Sequence, residues 1–193
     1  MLLTWLWKAL YWSWLITEIY VLVVTRTRRG KGTISDRGSL IVLWTVILIS
    51  MTAGGWLGDV YTPANFNLPH TAYVVVRTLA LALLATGLCI RWTAIYSLGR
   101  SFSANVAIHA TQKLNRSGLF HYMRHPSYTG MVIIFFAVGL RMENWLGLLL
   151  VTLPPYVALL YRIHVEEDAL VAAFGDDYLD YQRTTHRLIP GLY

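Results

Sequence analysis

Five apolar runs, at about residues 3–24, 40–60, 71–98, 127–140 and 145–161, occupy more than half of the chain and leave it few ways to fold. The first three are long enough to cross roughly 30 Å of hydrocarbon at about 1.5 Å per helical residue. The last two are shorter and suit a tight hairpin or a locally thinned crossing. Only 13% of the residues are charged and 56% are hydrophobic, whereas a soluble domain carries about a quarter charged residues. The expectation is an all-α, polytopic integral membrane protein with about five transmembrane helices, a C-terminal helical hairpin and a cytosolic amphipathic tail. Residues 1–193 read as a single membrane domain, with three spans in 1–98 and a loop, hairpin and tail in 99–193.

The net charge of +6 does not point to nucleic acid, because the basic residues fall between the spans. Arg26, Arg28, Arg29, Lys31 and Arg37 lie in one loop, Arg91, Arg100, Lys113, Arg116 and Arg124 lie in the stretch from 91 to 124, and Arg162, Arg183 and Arg187 come toward the tail. The opposite loops contribute only Arg141. By the positive-inside rule the N-terminus is outside, with the 99–126 stretch and the C-terminus cytosolic. The first run lacks a basic leader and a small-residue cleavage site, so it reads as a span. Tryptophans cluster toward the run ends and read as interfacial belts. The single Cys89 excludes an intrachain disulfide and reads as a small core residue. Gly54, Gly55 and Gly58 in the second run read as sites of close helix packing.

Polar chemistry is concentrated in two segments on either side of the short hairpin. The first is Gly118-Leu-Phe-His-Tyr-Met-Arg-His-Pro-Ser-Tyr-Thr-Gly130 and the second is Arg162-Ile-His-Val-Glu-Glu-Asp168, with Arg141-Met-Glu-Asn144 as the turn between the runs. A hairpin returns both segments to one face of the membrane. Pro126 suits the first turn of a helix, where a missing N–H costs nothing. His125 then sits at a helix mouth, which either receives a carboxylate on free backbone N–H groups or is simply a helix start with interfacial side chains. Glu166 and Glu167 form either a snorkelling ion pair with Arg162 or a face for a cationic ligand. Glu18, inside the first run, is either a snorkelling acid or part of a site. His121 and His125 are four apart, but Pro126 interrupts any shared helix and no further ligand is suitably spaced, so no metal site is expected. Leu170, Phe174, Tyr178 and Tyr181 recur at helical spacing, with Gly175 marking a stop and Asp176-Asp177 the start of another helix. Six of the ten acidic residues fall between Glu166 and Asp180, which differs from the Lys- and Arg-rich face of a purely anchoring helix.

These residues carry a resemblance. The run 98–104 (L-G-R-S-F-S-A), Ser117-Gly-Leu-Phe120, R-H-P-S-Y-T-G over 124–130 and E-E-D-A-L…F-G-D-D-Y-L-D-Y over 166–181 are similar to the isoprenylcysteine carboxyl methyltransferase family, which has relatives acting on phospholipids. The match spans about residues 98–190. It implies a helical membrane enzyme that takes S-adenosylmethionine from the cytosol, releases S-adenosylhomocysteine and meets a lipophilic acceptor in the lipid bilayer. By position, the resemblance implies a cofactor pocket of Gln112, Lys113, Leu114, Asn115, Phe120, His125, Pro126, Ser127, Tyr128 and Glu166. It ties Arg162 to the acceptor, and Arg162, Glu166 and His125 are the candidate catalytic residues. The family often has His at the Gln112 position, an apolar residue at the Asn115 position and Tyr at the Phe120 position.

A carboxylate acceptor is already nucleophilic at neutral pH, so alignment and partial desolvation suffice for in-line displacement. An amine or thiol acceptor needs a proton removed, for which His125, His164 or Glu167 are available. The implied acceptor is the carboxylate of a prenylated cysteine. The alternatives are a phospholipid, thiol or other small-lipophile methyltransferase and, outside enzymes, a membrane scaffold or transporter subunit.

Overall fold

A computed structural model of the protein describes residues 1–24, 33–34, 36, 38–99, 102–103, 107–108 and 114–191. The helices are α1 (Leu2–Val24), α2 (Ser39–Val60), α3 (His70–Leu98), α4 (Pro126–Arg141), α5 (Trp145–Phe174) and α6 (Asp176–Thr184). Strands β1 (Thr33–Ile34) and β2 (Ala107–Ile108) form a two-residue antiparallel pairing between two loops. Helix α4 packs on α3 and α5, α2 on α5, and α1 on α3.

Each apolar run has become a helix, and α2, α3 and α5 are long and apolar enough to cross a membrane. Helix α1, with 23 residues including Lys8 and Glu18, has the length but is not among these three. Helix α4 has 16 residues. The sequence reading ended the last run at residue 161, whereas α5 continues through the polar segment to Phe174. Its charged side chains are paired within the protein, so the charges that end the apolar run do not end the helix. Gly175, at φ 55°, stops α5 as expected, and the amphipathic α6 follows.

Asn144 builds the hairpin turn. It caps α5 by accepting the Gly147 N–H at 3.0 Å, and its amide donates to the Tyr61 carbonyl at 3.1 Å and to Asn65 Oδ1 at 2.9 Å. These bonds satisfy a fully buried amide, and they fasten the turn to the α2–α3 connection.

Two backbone crossings set the helix spacing. Gly87 of α3 meets Gly130 of α4: a Cβ on Gly87 would lie 2.8 Å from the Gly130 carbonyl oxygen, and one on Gly130 2.7 Å from that of Gly87. On the other side, a Cβ on Gly54 of α2 would lie 2.6 Å from Val151 of α5. Gly58 faces the same helix more loosely, while Gly55 faces open space. This close approach draws α4 and α5 together with their outer neighbours.

The core is Trp14, Leu43, Ile47, Leu84, Leu88, Met131, Ile134, Phe135, Val151 and Leu159. Trp14 departs from the interfacial pattern, meeting Phe135 edge-on at 5.9 Å between ring centroids. Trp5, Trp12, Trp56 and Trp145 do face outward. Cys89, expected in the core, is exposed on the outer surface of α3.

Candidate active site

The mouth of α4 is shaped by the chain on both sides of it. Pro126 opens the helix and His125 stands at its N-cap without a side-chain cap bond. The preceding amides of Arg124 and His125 donate to the carbonyls of His186 and Arg187 at 2.8 and 3.1 Å. The tail beyond α6 therefore lies across the entry to the helix, covering amides that the sequence left available for a carboxylate. Thr129 adds a bond to the Leu188 carbonyl at 2.8 Å.

The hairpin brings the two polar segments into contact through Tyr128. Its hydroxyl donates to Glu166 Oε2 at 2.6 Å and accepts from Arg162 Nε at 3.1 Å. Arg162 is only 2% exposed. Its Nη1 donates to Asp36 Oδ1 at 2.7 Å and to Ser39 Oγ at 2.8 Å, bringing the start of α2 into the site. Tyr128, Arg162 and Glu166, quoted in the sequence 34 to 38 residues apart, are thus neighbours.

Glu167 heads a second cluster behind the first. It receives Arg124 Nε at 3.0 Å and Arg187 Nη2 at 2.7 Å and lies 3.2 Å from His125 Nε2. Arg124 also donates to the Gln182 carbonyl at 3.0 Å and to the Thr185 carbonyl. Here a buried carboxylate is surrounded by donors, which compensates its desolvation. His125 belongs to this layer, with its ring stacked at 5.7 Å on Tyr128.

A third cluster joins α1, α3 and α4. Arg91 makes a bidentate pair with Glu18 at 2.5 and 2.6 Å and donates to Ser127 Oγ at 2.8 Å. Trp14 Nε1 adds a bond to Glu18 at 3.2 Å. Both partners are buried, so Glu18 faces inward and Arg91 is not a loop charge. Arg124 and Arg162 are likewise internal, and three of the arginines that suggested topology hold the interior together.

Between the first and third clusters lies a cavity of about 40 Å³, lined by Glu18, Arg91, Phe102, Ser103, Tyr128 and Arg162 with apolar residues of α1, α2 and α4. Its polar side is made by two ion-paired arginines and its apolar side by Leu43, Trp44 and Met131. A nucleoside or a lipid chain needs more room than this cavity offers.

The other expected site residues are placed as follows. Phe120 is buried, with its carbonyl accepting the Tyr181 hydroxyl at 2.5 Å. Asn115 makes a local turn, accepting from the Ser117 amide and hydroxyl at 3.0 and 2.8 Å and donating to the Ser97 carbonyl at 3.2 Å. Leu114 is half-buried beside it. Gln112 and Lys113 lie outside the described residues, as does most of the basic 25–37 loop. The sequence reading did not single out Arg91, Asp36, Ser39 or Tyr178 for the site. The Tyr178 hydroxyl is buried with no hydrogen-bond partner among the described residues, and burial together with Glu167 and Glu166 pushes its proton affinity well up. It therefore remains a donor.

Fold and site together define a polytopic helical membrane protein with a charged chamber at the shared end of a helical hairpin. Residues 78–172 match the family described as isoprenylcysteine carboxyl methyltransferase (ICMT), and through this region the chain resembles that family. A Schizosaccharomyces pombe protein-S-isoprenylcysteine O-methyltransferase is 34% identical over 120 residues, or 61% of this chain and 51% of the relative. A probable protein-S-isoprenylcysteine O-methyltransferase of Oryza sativa subsp. indica is 32% identical over 120 residues, or 61% and 63%. The solved structure of a eukaryotic intramembrane Ras methyltransferase, ICMT, superposes with a TM-score of 0.63 at 26% identity, covering 77% of this chain and 52% of that one. The chain thus spans about half to five-eighths of the length of these relatives.

Proposed function

We propose that this chain transfers a methyl group from S-adenosylmethionine to a lipophilic acceptor, the carboxylate of a prenylated cysteine, working as one membrane domain over residues 1–193. The observation that carries the reading is the contact of Glu166 and Arg162 through Tyr128, which sets an acid and a cation on one aromatic ring at the mouth of α4. The reaction is that of the methyltransferases this chain resembles, and the residues fit the donor. A zwitterionic nucleoside with a sulfonium needs a carboxylate, hydrogen-bond donors and aromatic faces. Glu166, the unpartnered Tyr178 hydroxyl and Tyr128 are of those kinds. Asn115 and Phe120, with Gln112, Lys113 and Leu114 in the same loop, complete the proposed cofactor wall beside Pro126 and Ser127.

When bound, S-adenosylmethionine supplies an electrophilic methyl group on a positively charged sulfur. Glu166 would hold the cationic end and Tyr128 would offer its ring to the positive charge, an attraction of about 0.5–2 kcal/mol. Arg162 would orient the acceptor carboxylate, which is already nucleophilic and would need no general base. His125 touches Glu167 and Tyr128, so its part is to position Tyr128 rather than to take a proton. The apolar side of the chamber and the outward faces of α2 and α5 hold the lipid part of the acceptor in the bilayer. The site and C-terminus face the cytosol and the N-terminus the other side, as the Arg- and Lys-rich loop at 25–37 supports.

The test is titration of the purified full chain with S-adenosylhomocysteine, followed by methyl transfer to a farnesylated cysteine analogue with a free carboxyl and to its carboxamide. The reading expects saturable binding, lost in Glu166→Ala, with methylation of the acid only. Absence of binding by the wild type, or equal methylation of acid and amide, overturns it.

A further inference from the structure

We infer that Asp36 is an internal stand-in for the acceptor's carboxylate, and that acceptor binding proceeds by exchange of one carboxylate for another on Arg162. This inference rests on the proposed carboxyl-methylating function. Arg162 is the buried guanidinium assigned to the acceptor, yet its Nη1 already holds Asp36 Oδ1 at 2.7 Å. The two residues are 126 positions apart, so the contact is not a by-product of local helix geometry.

Charge makes simultaneous occupancy unfavourable. Among the described residues, the bonded set of Tyr128, Arg162, Asp36 and Glu166 holds one guanidinium against two carboxylates. A third carboxylate on the same cation would face two like charges in a setting where few water molecules screen them. Asp36 is the member able to withdraw: its side chain is 15% exposed, against 3% for that of Arg162. It stands at the rim, immediately before α2, and it can regain water on release. Ser39 is suited to both states, since its hydroxyl donates to Asp36 at 2.7 Å while accepting from Arg162 at 2.8 Å.

From two residues before the Gly38 N-cap, Asp36 also accepts the Leu40 N–H of α2 at 3.2 Å, a capping role played from outside the helix. That role needs an oxygen but no charge, and asparagine fills it about as well as aspartate. The negative charge is therefore surplus to capping and acts on Arg162. Asp36→Asn separates the two roles.

A purely structural ion pair and an exchangeable one predict opposite signs. With the full chain in lipid nanodiscs, exchange predicts that Asp36→Asn lowers KM for the farnesylated acid about fivefold, the worth of a partly exposed ion pair, with kcat changing less than KM. Inhibition by the matching carboxamide should keep the wild-type constant, because an uncharged head does not compete for Arg162. Asp36→Glu, which keeps the charge, should show no fall in KM. A KM that rises or stays level in Asp36→Asn, with S-adenosylhomocysteine affinity retained, overturns the inference, as does a parallel shift for the amide. Should Asp36→Asn not fold, Asp36→Ser carries the same prediction and the same overturning result. Wild-type protein that binds S-adenosylhomocysteine but methylates no carboxyl acceptor is a distinct failure, that of the proposed function, and the inference falls with it.

Discussion

The two ends of the α4–α5 hairpin solve the burial of polar groups in different ways. At the turn, a neutral residue, Asn144, has each side-chain group matched to a backbone or amide partner, and the charged pair nearby, Arg77 with Glu143, lies toward solvent. At the opposite end, charges themselves are buried: Glu18 with Arg91, Glu167 with Arg124 and Arg187, and Arg162 with Asp36. A turn needs only a saturated hydrogen-bond set. Buried ion pairs contribute little net stability compared with an apolar replacement, and among the described residues they gather at the end proposed for the chemistry.

The comparison breaks most visibly at Arg91. Arg91→Met leaves the Glu18 carboxylate buried without its cation and should cost about 3–5 kcal/mol of stability, measured by unfolding in detergent micelles. Glu18→Leu combined with Arg91→Met should recover most of that loss, and failure to recover would mean that the pair is not the source. At the turn, Asn144→Ala should cost about 1–3 kcal/mol through its orphaned partners, while S-adenosylhomocysteine affinity stays within about twofold of the wild type because no charge is involved. A large affinity loss there would erase the distinction between the two ends.

A smaller effect concerns Tyr181, whose hydroxyl is bonded to the Phe120 carbonyl and is pushed by burial up to about 12. Because the folded value exceeds the unfolded one near 10, its stabilisation is complete below about pH 10 and is lost as pH rises through about 12. Tyr181→Phe should flatten that alkaline decline; an unchanged slope would contradict the assignment. The least effect belongs to Arg77→Ala, an exposed pair worth no more than about 1 kcal/mol, which should fade further in high salt.

The sequence showed helix positions well because lipid-spanning runs are written in composition, and the ends of α1 to α4 fall within a residue or two of the runs. It placed the helix stop at Gly175 but ended the fifth apolar run at residue 161, because Arg162, Glu166 and Glu167 look like an exit from the membrane until their partners are known. The hairpin was legible from Pro126, the short runs and Gly175. The pairing of Glu18 with Arg91 was not, since the 73 residues between them give no periodicity linking the two. Asp36 was hidden for the same reason, sitting in a basic loop 126 positions from Arg162. Trp14 looked like its interfacial neighbours, and only packing against Phe135 distinguishes it. Motif residues reached the site in two layers: Tyr128 and Glu166 in front, His125 and Glu167 behind. Adjacent letters in a helix point to different sides, so the motif alone could not separate them.

The central claim is that the mouth of α4 and the acidic end of α5 act together on one methyl donor. The most direct measurement is a double-mutant cycle on S-adenosylhomocysteine binding, by calorimetry, with Tyr128→Phe, Glu166→Gln and the two combined. The account predicts that each single change weakens binding and that the combined loss is smaller than the product of the two. Independent, multiplicative losses, or tight binding that survives both changes, would contradict it.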